Sequence, residues 1–229
     1  MGGRGASSGA GGVSPRAKFK EDGQITIGMD TVEFDGTLNY YGNETAISRE
    51  QRDGVSTFEG KRKKAKVEYA YAVDADGNPI GQEVRGGKTS VSAPIKFHDT
   101  QGAVFTHNHP REDGVFGGTF STADLRNFAI FGNKTERAVA KEGTYSITKK
   151  KNFDSSGFQS FINKQHSEAR QAYADALSVI SKDRTSGKIN YDEYRVRAKR
   201  AMNNYLIDLH NRYKSGEKTY GYSYTLERN

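Results

Sequence analysis

The chain has 229 residues, of which 34% are hydrophobic, with a mean hydropathy of −0.84 and a net charge of +7. That length allows one substantial domain, or a domain with an appendage, built on a modest core beneath a very polar surface. The absence of cysteine excludes disulfides, thiolate metal sites and a cysteine nucleophile, so any metal has to sit on His, Asp or Glu.

No apolar run approaches the ~20 residues needed to cross a bilayer. No signal-peptide segment follows the N-terminus, so a cytoplasmic chain with no membrane partner is expected. A pI near 9.4 permits nucleic acid or an acidic partner without locating a patch for either.

Residues 1–20, "MGGRGASSGAGGVSPRAKFK", are rich in glycine and have almost nothing to bury, which reads as a flexible basic tail. "QITIGMDTVEF" suggests a strand pair and "GTLNYYG" a further extended piece. The charge run "KRKKAK" (61–66) then precedes "VEYAYAVDADGNPIGQEVRGG", where two β-rich stretches flank turn chemistry, the clearest hairpin in the chain. "GAVFTHNH" reads as a short strand, and "STADLRNFAIFG" as a helix capped by Ser121, with Leu125, Phe128 and Ala129 on its buried face. "ERAVAKEGTYSITKK" reads as strand, turn, strand. Residues 151–215 switch to helical spacing, with Phe161, Ile162, Ala169, Tyr173 and Ile180 on one helix. Tyr194, Ala198, Tyr205 and Leu209 mark a second, begun by Asn190 and Glu193 as a capping box. "YGYSYTLE", within 216–229, alternates like an edge strand.

The chemistry concentrates in "VFTHNHPREDGVFGGTFSTADL", residues 104–125. On a strand, positions i and i+2 face the same way, so His107 and His109 can reach one divalent ion while Asn108 faces the other side. Pro110 stops the strand. Asp124, in the first turn of the following helix, can supply a third ligand, and Ser121 beside it a hydroxyl for a developing oxyanion. A general base is still needed, and should be an acid on a neighbouring strand. Ser-x-x-Asp before an apolar periodic segment is also a plain capping signature, and the two roles are compatible. His98, His166 and His210 read as surface residues.

"THNHP…FSTADL" resembles the signature of the JAMM/MPN metalloproteases, above all the bacterial RadC-like branch, which also reads His-Asn-His-Pro. The resemblance covers residues 61–150. It implies an α/β (α+β) fold of cytidine-deaminase type, a central mixed β-sheet with flanking helices, spanning 21–150 and followed here by the helical hairpin. It also implies a zinc ion on His107, His109 and Asp124, Ser121 supporting the tetrahedral intermediate, and an upstream glutamate as base. The hairpin layout points to Glu68, with Glu83 on the return strand as the alternative. The chain departs from the family pattern in two places. The loop from His109 to Ser121 is longer than usual, and "SAPIKFHDTQG" shows no helical period where the family places a helix.

Three functions follow as expectations. The first is a zinc-dependent metallopeptidase or isopeptidase acting on a protein or peptide through a metal-activated water. The second is a RadC-like DNA-associated protein using "KRKKAK", Lys149 to Lys151 and the basic second helix (Arg195, Arg197, Lys199, Arg200). The third is a non-catalytic assembly module of bacteriophage type, which the start "MGGRGASSG" resembles, with the helical hairpin docking a partner protein.

Overall fold

A computed structural model describes residues 17–19, 25–27, 32–33, 38, 47–92, 100–111 and 114–228. His98 and most of "GTLNYYG" lie outside them. The expected tail of 1–20 needs correction at its end. Ala17–Phe19 form β1, antiparallel to β2 (Ile25–Ile27), which pairs in turn with β3 (Val32–Glu33), because the β-branched run Ile25–Ile27 offers a pairing partner.

The larger sheet has six strands in the order β5-β4-β6-β7-β8-β9 and is mixed. Its strands are β4 (Tyr69–Val73), β5 (Val84–Arg85), β6 (Val104–Asn108), β7 (Thr135–Val139), β8 (Thr144–Lys149) and β9 (Tyr222–Glu227). Only β6 and β7 run parallel; every other neighbouring pair is antiparallel. Parallel neighbours need a crossover, and α2 (Thr122–Ile130) supplies it. The hairpin of β4 and β5 turns on Asp74, whose Oδ1 accepts from the N–H groups of Asp76 and Asn78 at 2.9 and 2.8 Å.

Two helices were not expected, a short one within 216–229 and a longer one before β4. The α1 segment (Arg49–Arg62) has only Gln51, Val55 and Phe58 buried, too few apolar positions to show a period. Its start is set by a capping box of Ser48 and Gln51, and the Gln51 amide also donates to the carbonyls of Asp74 and Gly102 at 2.9 and 3.1 Å. Gly54 weakens the helix interior, yet a Cβ there would stand 2.4 Å from the Gly77 carbonyl oxygen, so the close approach of the turn requires it. A buried ion pair completes the docking of α1: Arg137 Nε and Nη2 meet the two Glu59 carboxylate oxygens at 2.7 and 3.0 Å.

The opposite face of the sheet carries the main core. There α2, α3 (Ser155–Thr185) and α4 (Tyr191–Ser215) bury Leu125, Phe128, Phe158, Ile162, Leu206 and Tyr213 against Tyr145, Ile147, Tyr222 and Tyr224 of the sheet. Burying side chains of this size contributes about 1.5–3 kcal/mol each. A short α5 (Glu217–Tyr220) precedes β9. Burial is concentrated at the root of the α3–α4 hairpin: the last buried residue of α3 is Ala169 and the first of α4 is Lys199, with Ile189 of the connecting turn the one buried residue between them. His210, expected at the surface, is instead fully buried, because its Nδ1 pairs with the Tyr224 hydroxyl at 3.0 Å between α4 and β9. His166 is half-buried against the Tyr205 hydroxyl.

Candidate metal centre

Every residue of β6 is buried between β4 and β7. His107 sits opposite Ala70 on one side and Ala138 on the other, and these small neighbours leave space above the sheet for its ring. His109 lies one step past the strand end, where its N–H still donates to the Val139 carbonyl at 2.9 Å. The two Nε2 atoms face one another at 2.9 Å.

The outer nitrogens decide what those Nε2 atoms offer. His109 Nδ1 is 3.0 Å from the Gly118 carbonyl oxygen, which can only accept, so Nδ1 carries the proton. His107 Nδ1 lies 3.4 Å from Glu136 Oε1, with the same consequence when that carboxyl is ionised. When both rings are neutral, each turns an Nε2 lone pair towards one point, the arrangement that carboxylate and carbonyl partners impose on metal-bound imidazoles.

Asp124 completes the group. Ser121 is the N-cap of α2, its Oγ accepting from the Asp124 N–H at 3.2 Å while Asp124 Oδ2 accepts from the Ser121 N–H at 2.7 Å. The same Oδ2 stands 3.5 Å from His107 Nε2 and 3.7 Å from His109 Nε2. The capping box thus aims the carboxylate at the histidines. A tetrahedral zinc with bonds of ~2.0–2.1 Å sets its ligand atoms about 3.3 Å apart. The observed 2.9, 3.5 and 3.7 Å straddle that value, and His107, His109 and Asp124 could hold a metal ion. Three electron-pair donors converging in this way repel one another unless a proton or a cation lies among them.

The electrostatics agree. Burial disfavours the charged imidazole of His107, yet Asp124 and Glu136 outweigh it and hold its pKa well above the ordinary value. Burial likewise pushes Asp124 up, but the two imidazoles hold its carboxyl well below the usual range. Glu136 is pushed up to about 7 by burial, against the pull of the His107 imidazole.

Of the two glutamates considered for the base, Glu68 is the one beside this group. Burial raises its pKa, and the charges of His109, His107 and Asp124 all act on it. Glu83 is paired with the Arg62 guanidinium. Glu68 precedes β4, but the ladder continues through it: its N–H donates to the Gly87 carbonyl at 2.7 Å and its carbonyl accepts from the Gly86 N–H at 2.8 Å.

No protein-family model matches the chain, and neither does any curated protein or solved structure.

Two residues that the motif did not single out position the site. Asn108, 1% exposed, accepts from the Tyr69 N–H at 2.7 Å and donates to the Val67 carbonyl at 3.0 Å, bracketing Glu68 from the histidine strand. Its place between the histidines, on the opposite side of the strand, was the available signal. Glu136 lies two residues before Ala138, the partner of His107 in the parallel register, and the Asn133 amide steadies it at 2.9 Å. Nothing local in "KTERAV" reveals that role. From Gly114 onward the lengthened loop is packed: Val115, Phe116 and Phe120 all belong to the main core.

Proposed function

We propose that this chain is a zinc-dependent hydrolase of JAMM/MPN type, of the RadC-like branch, cutting a peptide or isopeptide bond. The observation that carries the reading is the convergence of Asp124 from α2 on His107 and His109 at the end of β6, with Glu68 alongside them. The mixed sheet with flanking helices is compatible with the fold that such enzymes have.

Two imidazoles and one carboxylate make a three-ligand set of the kind catalytic zinc uses. When bound, zinc supplies the Lewis acidity that polarises a carbonyl and acidifies water. Glu68, its pKa raised by burial, takes a proton on its carboxylate and returns it to the leaving amine. The Ser121 oxygen already accepts from the Asp124 N–H, so its own proton is available to an oxyanion. Glu136 holds the Nδ1 proton of His107, and the Gly118 carbonyl that of His109.

The test uses zinc-loaded protein against a quenched-fluorescence peptide library and a lysine-linked isopeptide. Glu68→Gln should keep its zinc and lose hydrolysis, while His107→Ala should lose both. Parent-like hydrolysis by either variant removes the assignment.

A second reading, association with nucleic acid, is favoured by the exposed Lys61, Lys64 and Lys66 around the end of α1 that leads into β4. DNA binding that does not weaken with added salt would remove it.

A further inference from the structure

The loop between His109 and Ser121 is gripped from beneath by a carboxylate that the proposed chemistry does not use. Glu142, in the turn between β7 and β8, is 4% exposed. Its Oε2 accepts from the Gly117 N–H at 2.9 Å, and its Oε1 accepts from the Gly118 N–H at 2.7 Å and from the Tyr145 hydroxyl at 2.9 Å. All three partners donate, so the position requires a group that accepts on both oxygens. The carbonyl of the same Gly118 receives the Nδ1–H of His109. Gly118 has a φ of +83°, and a Cβ there would lie 2.7 Å from Leu206 Cδ2 of α4, so the peptide is wedged between carboxylate and helix. Asn203, also on α4, holds the start of the loop: it accepts from the Phe116 N–H at 2.9 Å and donates to the Gly114 carbonyl at 3.1 Å.

We infer that Glu142 is a positioning residue of the metal centre, acting through the Gly117–Gly118 backbone to fix the tautomer and direction of His109. The inference rests on the metal-site reading of His107, His109 and Asp124. It makes the root of the helical hairpin part of the site's framework, since α4 closes the other side of the loop. An outer partner that orients a metal-bound imidazole typically changes metal affinity by about 10–100-fold. Here the partner is one peptide removed, and the loss is set by how far the Gly118 carbonyl moves when a donor replaces an acceptor beneath it.

The experiment titrates zinc into metal-free full-length protein against a chromophoric chelator. Parent, Glu142→Gln, Glu142→Asp and His109→Ala are compared, and folding of each is followed by circular dichroism. Long-range proton–nitrogen NMR of the histidine rings gives the tautomer of His109. The expected result is a Kd raised about 10-fold or more in Glu142→Gln, with His109 no longer held as the Nδ1–H form. Glu142→Asp, which keeps the charge but shortens the reach, should fall between Glu142→Gln and parent. A merely structural role would lower melting temperature without moving the tautomer or the Kd of the folded protein, and that result overturns the inference. If Glu142→Gln does not fold, a parent-like Kd in Glu142→Asp overturns it equally. Failure of the underlying site looks different, because His109→Ala would then bind zinc as tightly as the parent.

Discussion

Replacing Asn108 by alanine should separate the proposed base, Glu68, from the proposed metal ligands. The Asn108 side chain makes two hydrogen bonds, to the Tyr69 N–H at 2.7 Å and the Val67 carbonyl at 3.0 Å, and it is 1% exposed. Truncation leaves both backbone groups unpaired, at about 1–3 kcal/mol each. Val67 and Tyr69 are both half-buried, so water offsets part of the loss at each, and a total near ~3 kcal/mol is expected. For a chain of this size that corresponds to a melting temperature lowered by roughly 6–12 °C. Glu68, released on both sides, then drifts from the histidines, while neither His107, His109 nor Asp124 touches the lost amide. Calorimetry and a zinc titration on the folded variant measure the two consequences. Asn108→Ala should lose stability and hydrolysis but bind zinc within about threefold of the parent, well inside the 10-fold that 1.4 kcal/mol represents. A variant as stable as the parent, or one whose zinc affinity collapses with its activity, would refute the division of labour.

Further outcomes follow from the same geometry. Metal-free protein should lose stability as pH rises above about 6.5, the unfolded histidine value. The pKa of His107 is raised in the folded state, so its contribution is complete below the unfolded value and disappears as pH climbs through the folded one. Glu136, pushed up to about 7, acts in the same direction between its unfolded value and 7. Calorimetry across this range should show the decline, and added zinc should abolish it because the deprotonated imidazole is the ligand. Ser121→Ala should cost about 1 kcal/mol through the lost cap, and hydrolysis should drop about 10²–10³-fold if the hydroxyl serves an oxyanion. Zinc affinity of that variant, read in the same titration, should stay near the parent's. Glu59→Gln removes the near carboxylate of the buried Arg137, leaving it Glu227 at 3.9 Å, and should cost about 3 kcal/mol. Glu59→Leu combined with Arg137→Met should recover most of that loss in urea denaturation.

The site was legible where chemistry and local structure impose the same spacing. His-x-His on one strand and Ser-x-x-Asp opening the next helix show a motif that also caps and stops its own elements, so Ser121 aims Asp124 by the bonds that start α2. The long helices α3 and α4 were legible for a different reason: their apolar residues recur over several turns, and Asn190 and Glu193 make the capping box their spacing suggested. What escaped is set by tertiary pairing. Helix α1 has two interior glycines and little apolar periodicity, and it is held by Glu59 reaching Arg137, a residue 78 positions away. Glu136 meets His107 only because β6 and β7 run parallel in one particular register. The longer loop read as a departure from the family pattern, and its Val115, Phe116 and Phe120 fill the core. Its glycines are spaced for Glu142 and Leu206, neither of which is near in the chain.

The central claim is that His107, His109 and Asp124 hold one zinc ion. Equilibrium dialysis of the full chain against zinc, followed by elemental analysis, tests it most directly when run beside His109→Ala and Asp124→Ala. The parent should retain one zinc per chain, and each variant should retain markedly less under the same conditions. Equal zinc in parent and variants, or none in the parent, would contradict it.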